Sequence, residues 1–110
     1  MGYGVITGQV TGTTTAAYVV ALTWDTDGLK NKSIHIVNTH ATLTMKFKLL
    51  GRYNTAQTAG KEDVLVAETT LGVGEDARLQ FDKQYFQQIV SVINGSGAAT
   101  FEINYSGLGE

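Results

Sequence analysis

The chain has no cysteine and no proline, only two histidines, and few charges. Without cysteine, a disulfide framework and a zinc-thiolate site are both excluded, which fits synthesis in a reducing cytoplasm. No apolar run approaches the ~20 residues that a membrane-spanning helix needs, so no membrane role is expected. The start, MGYGVITGQV, has no basic segment followed by an apolar stretch, so no secretory signal is expected there. It also lacks the sixth-position Ser or Thr of a myristoylation motif. The net charge is −2, from 8 basic and 10 acidic residues dispersed along the chain. Nucleic-acid binding normally requires a basic stripe, and none is present.

Charged residues make up 16% of the chain, against a typical ~25% for soluble domains. Thirteen glycines and fifteen threonines accompany them. Threonine is β-branched, suits a pleated sheet and is a mediocre helix former. With 110 residues, the chain fits a single domain over 1–110 with one hydrophobic core.

Period-two alternation runs from end to end, and it predicts strands. Tyr18, Val20, Leu22 and Trp24 are expected on one face and Val19, Ala21 and Thr23 on the other. In KSIHIVN, Ile34 and Ile36 should point inward and His35 outward. LTMKFKLL sets Leu43, Met45, Phe47 and Leu49 against Thr44, Lys46 and Lys48, a pattern a helix would scatter. VLVAETT, DARLQF, QIVSVI, ATFEINYS and the glycine-weakened GVITGQV complete about eight candidates. QIVSVI is nearly continuous in apolar character, as expected of a strand covered on both sides.

Asp27-Gly28, Gly72 with Gly74, and Asn94-Gly95 mark turns; the last, inside NGSG, predicts a C-terminal hairpin. Residues 54–62 form the longest loop, and one helical turn is allowed near 83–87. The expectation is an all-β fold, a single antiparallel β-sandwich (jelly-roll-like) of about eight strands. Sandwich edges must be covered or charged. With few charges and no proline, oligomerisation is the expected cover.

No chemical motif stands out. His35 and His40 are too few for a typical catalytic zinc set, and surface or interface roles are the default. Asp25 and Asp27 begin like a calcium loop, but Leu29 and Lys30 break the pattern, which favours a β-turn. Glu62-Asp63 and Glu75-Asp76 are adjacent pairs whose members point to opposite faces of a strand, so neither pair converges on a substrate. Gly2, Gly4 and Gly8 have the wrong spacing for a dinucleotide fingerprint. The triplets at Asn31, Asn94 and Asn104 match the glycosylation pattern but mean little without a secretory route. Neither a catalytic residue nor a metal or cofactor is expected. Among the aromatics, Trp24 and Tyr18 fall on the expected core face. Tyr53, beside Arg52 and the long loop, is the best exposed candidate for an interface or ligand contact, with Tyr3 behind it.

MKFKLLGRY, LVAETTLGVGEDARLQFDKQYFQQIVSV and GAATFEINYSG together resemble the small β-sandwich structural proteins of tailed-bacteriophage virions, the head decoration and accessory type. In that family a strand ending in Leu-Gly leads through a polar loop to a corner like ETTLGVGE, then to a closing pair of strands. The resemblance spans roughly Ser33 to Gly107. It implies a non-enzymatic virion component, made in the host cytoplasm, forming a homo-oligomer, commonly a trimer, and packing on the major capsid or another virion protein. The rival expectation is a carbohydrate- or ligand-binding β-sandwich module, which would need exposed aromatics on one sheet face.

Overall fold

The computed structural model describes residues 4–109. Eight strands follow one another: β1 (Val5–Thr13), β2 (Val19–Asp25), β3 (Lys30–Asn38), β4 (Met45–Arg52), β5 (Asp63–Leu71), β6 (Asp76–Gln80), β7 (Gln87–Asn94) and β8 (Thr100–Leu108). They form two four-stranded antiparallel sheets, in the orders β1-β8-β3-β6 and β2-β7-β4-β5. This interleaving is that of a two-sheet jelly roll. The single sandwich expected from alternation is therefore the fold observed.

Alternation decides the core. Met45, Phe47 and Leu49 of β4 meet Val90 and Val92 of β7 within their own sheet. Ile34 and Ile36 of β3, with Phe101 and Ile103 of β8, close on them from the facing sheet. Ile36, Met45, Leu49, Val90, Val92 and Ile103 are wholly buried. Each such side chain contributes about 1.5–3 kcal/mol relative to an exposed one. β7 is buried over five consecutive residues from Gln88 to Val92, as its near-continuous apolar run predicted.

Three expectations fail, each for a definable reason. NGSG does not close a hairpin: β7 and β8 lie in different sheets, so residues 95–99 carry the chain across the sandwich. Gly95 is required there for closeness instead of positive φ. A Cβ at this position would come within 2.7 Å of the Thr44 backbone carbonyl. Among the described residues, the only sequential strands paired with each other are β4 and β5, joined by the longest loop, as anticipated for residues 54–62. Secondly, Tyr18 and Val20 do not share the face of Leu22 and Trp24. A bulge between Val20 and Leu22 inserts one residue and reverses the alternation. Val20 is 62% exposed while Leu22 and Trp24 are buried. Thirdly, no helical turn forms near 83–87; the buried Tyr85 and the start of β7 occupy that stretch.

The Asp27-Gly28 and Gly72/Gly74 corners do form turns. Gly28 and Gly74 have φ of 77° and 70°, and the turns close through Leu29 N–H to Thr26 O at 3.1 Å and Glu75 N–H to Gly72 O at 3.1 Å. Two polar side chains anchor the ends of β3. Lys32, 1% exposed, donates from Nζ to the carbonyls of Leu29 (2.9 Å) and Asp82 (3.3 Å). Asn38, wholly buried, donates to the carbonyls of Leu43 (2.9 Å) and Gly72 (3.0 Å) and accepts from His40 N–H at 3.0 Å. Both give buried carbonyls the partners they need.

Candidate functional site

The residues singled out from sequence meet different fates. Tyr3 lies outside the described residues. Tyr53 is 49% exposed, but its hydroxyl is committed: it donates to Asp63 Oδ2 at 2.6 Å, which Tyr85 also reaches at 2.7 Å. The two rings meet at 5.3 Å between centroids, and the Lys83 ammonium lies 5.5 and 5.2 Å from them. This cluster ties the β4–β5 loop to the β6–β7 loop. The Tyr53 hydroxyl, then that of Tyr85, then Lys83 hold the Asp63 carboxyl below its usual range. Arg52 is turned to the same structural end, donating to Gln57 O at 3.3 Å. Tyr53 and Arg52 are thus neighbours in a loop-fastening network.

His35 and His40 are separated. His40 Nδ1 accepts the backbone N–H groups of Thr42 and Leu43, both at 3.1 Å, and so shapes the β3–β4 turn. His35 sits on the outer face of β3 with Nε2 2.7 Å from Asp76 Oδ2. An ionised carboxylate only accepts, so Nε2 carries the proton. That bond, followed by the Arg78 charge, holds Asp76 below the ordinary carboxylate range. Among the described residues, no group of three or more His, Asp or Glu side chains could hold a metal ion.

Tyr18, displaced by the bulge, lies over the outer face of the β2-β7-β4-β5 sheet. Its hydroxyl donates to Glu68 at 2.5 Å and its ring receives the Lys48 ammonium at 4.1 Å from the centroid. Burial, then the Glu68 bond, pushes this phenol up to about 12.

The sheet edges differ sharply. β6 is five residues long and carries Asp76 and Arg78. β5 carries Asp63 and Glu68, and its register against β4 shifts twice. β2 is interrupted by its bulge and ends on Asp25. Short strands, bulges and charges all discourage a further strand from adding. β1 has none of these defences. It is nine residues, VITGQVTGT, in unbroken register with β8 from Val5↔Leu108 to Thr13↔Thr100, with no charged residue. Among the described residues, no strand pairs with its outer backbone edge. β2 is its neighbour across the sandwich, so β1 and β2 make one lateral side. Val5 (67% exposed), Ile6 (46%), Val19 (39%) and Val20 (62%) all lie on it. The sequence held this signal in the uncharged composition of residues 5–13, but which strands become edges depends on topology.

Comparison with known proteins supports the architecture. No protein-family model matches the chain, and no curated protein sequence matches it. Solved structures do. A protein of the Bacillus endospore appendages, described as a novel family of disulfide-linked pili, superposes with a TM-score of 0.57 at 11% identity, over 96% of this chain and 89% of that one. The Yersinia pseudotuberculosis-derived mitogen gives 0.57 at 11%, over 92% and 85%. The SPBc2 prophage-derived protein YomS gives 0.52 at 12%, over 92% and 95%. At these identities the likeness establishes a shared fold, and one fold serves unrelated tasks.

Proposed function

We propose that this protein is a non-enzymatic structural subunit which assembles through its β1/β2 side, and that it serves as a decoration or accessory protein on a virion. The observation that carries the reading is β1: a long, straight, uncharged edge beside four exposed aliphatic side chains. In a stable soluble protein such an edge is normally covered. Strand addition would satisfy its free N–H and C=O groups, and the valines would lose contact with water. The fold supports the same reading, since an endospore pilus protein and a prophage-derived protein share it.

Symmetry links the contact to the subunit count. β1 pairing with β1 of a second copy is isologous and gives a twofold dimer. A trimer, the assembly implied by the virion resemblance, instead sets the β1/β2 side of one copy against a different surface of the next. Many copies on a lattice then bind through avidity even when each contact is weak. Sedimentation equilibrium at micromolar concentration is expected to show a homo-oligomer, and mass spectrometry of purified particles is expected to find the chain there. A strict monomer missing from particles would overturn the reading.

A further inference from the structure

The outer face of the β1-β8-β3-β6 sheet is hollowed. A trough of about 810 Å³ crosses all four strands, within the range of small-ligand sites. Two rows of side chains face it, read from the strand register. The first runs Gln9, Asn104, His35, Arg78; the second runs Thr7, Ser106, Ser33, Gln80. Ser33 and Ser106 are register partners on the two central strands, and their small size gives the trough its depth.

The first row is held in place by its own bonds. Gln9 Nε2 donates to Asn104 Oδ1 at 2.8 Å, and Asn104 Nδ2 donates to Glu102 Oε2 at 2.9 Å. His35 donates from Nε2 to Asp76 at 2.7 Å, which leaves Nδ1 as an acceptor in the neutral ring. Each planar group is therefore oriented while keeping hydrogen-bonding capacity, the arrangement a binding site needs. In the second row, the side chains of Thr7, Ser33, Gln80 and Ser106 make no hydrogen bond within the described residues. Three amides, an imidazole and three hydroxyls are thus offered together on one surface.

The charge balance narrows the ligand. Among the described residues, Arg78 is the one Lys or Arg lining the trough, and it lies 3.4 Å from Asp76, so the face lacks the cationic cluster a polyanion needs. Neither row carries an apolar side chain, while Ile34, Leu79 and Tyr105 on the same strands complete the lining, a mixed surface of the kind that meets both the hydroxyls and the C–H faces of a sugar. Neighbouring strands are about 4.8 Å apart, close to the length of one sugar unit in an extended chain. A glycan lying across the strands would meet a new polar side chain with each unit.

We propose that this trough binds a neutral, hydroxyl-rich oligosaccharide running perpendicular to the strands, recognised by hydrogen bonds with Gln9, Asn104, His35 and the two serines. The trough shares β1 with the proposed contact through Thr7 and Gln9, but it uses their outward side chains where the contact uses the outer backbone edge, and its binding test does not require self-association. It also differs from the Tyr53 region in relying on amides and hydroxyls instead of ring stacking.

The test is an array of neutral and sulfated oligosaccharides, followed by calorimetry of the best neutral hit against three variants. Ser33→Trp fills the trough and Asn104→Ala removes a central donor; each is expected to weaken binding roughly tenfold or more. Thr70→Ala, on the other sheet, is expected to leave affinity within about twofold. Amide shifts at Ser33 and Ser106 on titration are expected as well, and they decide the matter if Ser33→Trp does not fold. The proposal is overturned if the array shows no neutral hit, or if a hit survives both trough variants. Binding confined to sulfated glycans and lost in raised salt would equally overturn it.

Discussion

The two lateral sides of this sandwich solve the same problem in opposite ways. On the β5/β6 side the edges are short or bulged, carry Asp63, Glu68, Asp76 and Arg78, and are fastened by hydrogen bonds to loop residues. On the β1/β2 side the edges hold one charge, Asp25, and β1 has no irregularity at all. Both sides rest on one core and differ little in local propensity. The lesson is that edge protection is allocated unevenly, concentrated on the β5/β6 side and absent from β1.

The largest expected effect removes the foundation both sides share. Phe47, 1% exposed, leaves a cavity when changed to alanine, and Phe47→Ala should cost about 3–5 kcal/mol in denaturant unfolding. Its neighbour Lys46 faces outward and meets Glu68 only at 3.8 Å, so Lys46→Ala should cost less than about 1 kcal/mol. Equal costs would mean that the strand faces are misassigned.

Next in size is the contrast between the sides themselves. Val20→Lys buries a charge in the proposed contact and should weaken self-association by roughly 30- to 100-fold, about 2–3 kcal/mol. Val64→Lys, at 61% exposure on β5, should leave the oligomer intact. Sedimentation of both variants checks this, and the reverse result would exchange the roles of the two sides.

A smaller effect sharpens the picture of the β5/β6 side. A Cβ on Gly51 would come within 2.7–2.8 Å of the Tyr85 ring, and that ring cannot swing freely because its hydroxyl is bound to Asp63. Gly51→Ala should cost about 1–2 kcal/mol by crowding, visible in thermal unfolding, without changing the oligomeric state.

The smallest is a pH effect at the same place. Asp63 is held below its unfolded value, so its contribution is complete above the ordinary carboxylate range. It is lost as the pH falls through the depressed folded value. Acid should therefore lower the melting temperature, and Asp63→Asn should flatten that acid limb slightly while leaving self-association unchanged. An unaltered acid limb in the variant would show that Asp63 is not a contributor.

Much of this was legible in the chain, because burial on one face of a strand writes itself as alternation. All eight strands, the long loop and the core row Met45, Phe47, Leu49 could be read in that way. What stayed hidden depends on events between distant residues. The bulge at Val20–Leu22 has no local marker, so Tyr18 was assigned to the wrong face. Asn94-Gly95 carries hairpin chemistry, yet the packing of Gly95 against Thr44 carries the chain to the other sheet. The burial of Lys32 and Asn38 makes sense only once the loops whose carbonyls they serve are in place. The trough was equally invisible, because its rows draw on β1, β3, β6 and β8, which are far apart in the chain. Tyr53 drew attention as an exposed aromatic, but proximity to Asp63 and Tyr85 makes it part of a fastening.

The position of β8 has a consequence for when the protein can act. It is the eighth in chain order of the strands described, and it lies between β1 and β3, the first and third. Until it arrives, β1 has no partner to straighten against and cannot present a finished edge. A chain still lacking β8 therefore presents no finished β1 edge, so any assembly through that edge must follow folding. The price is speed, since joining strands so distant in sequence is slow.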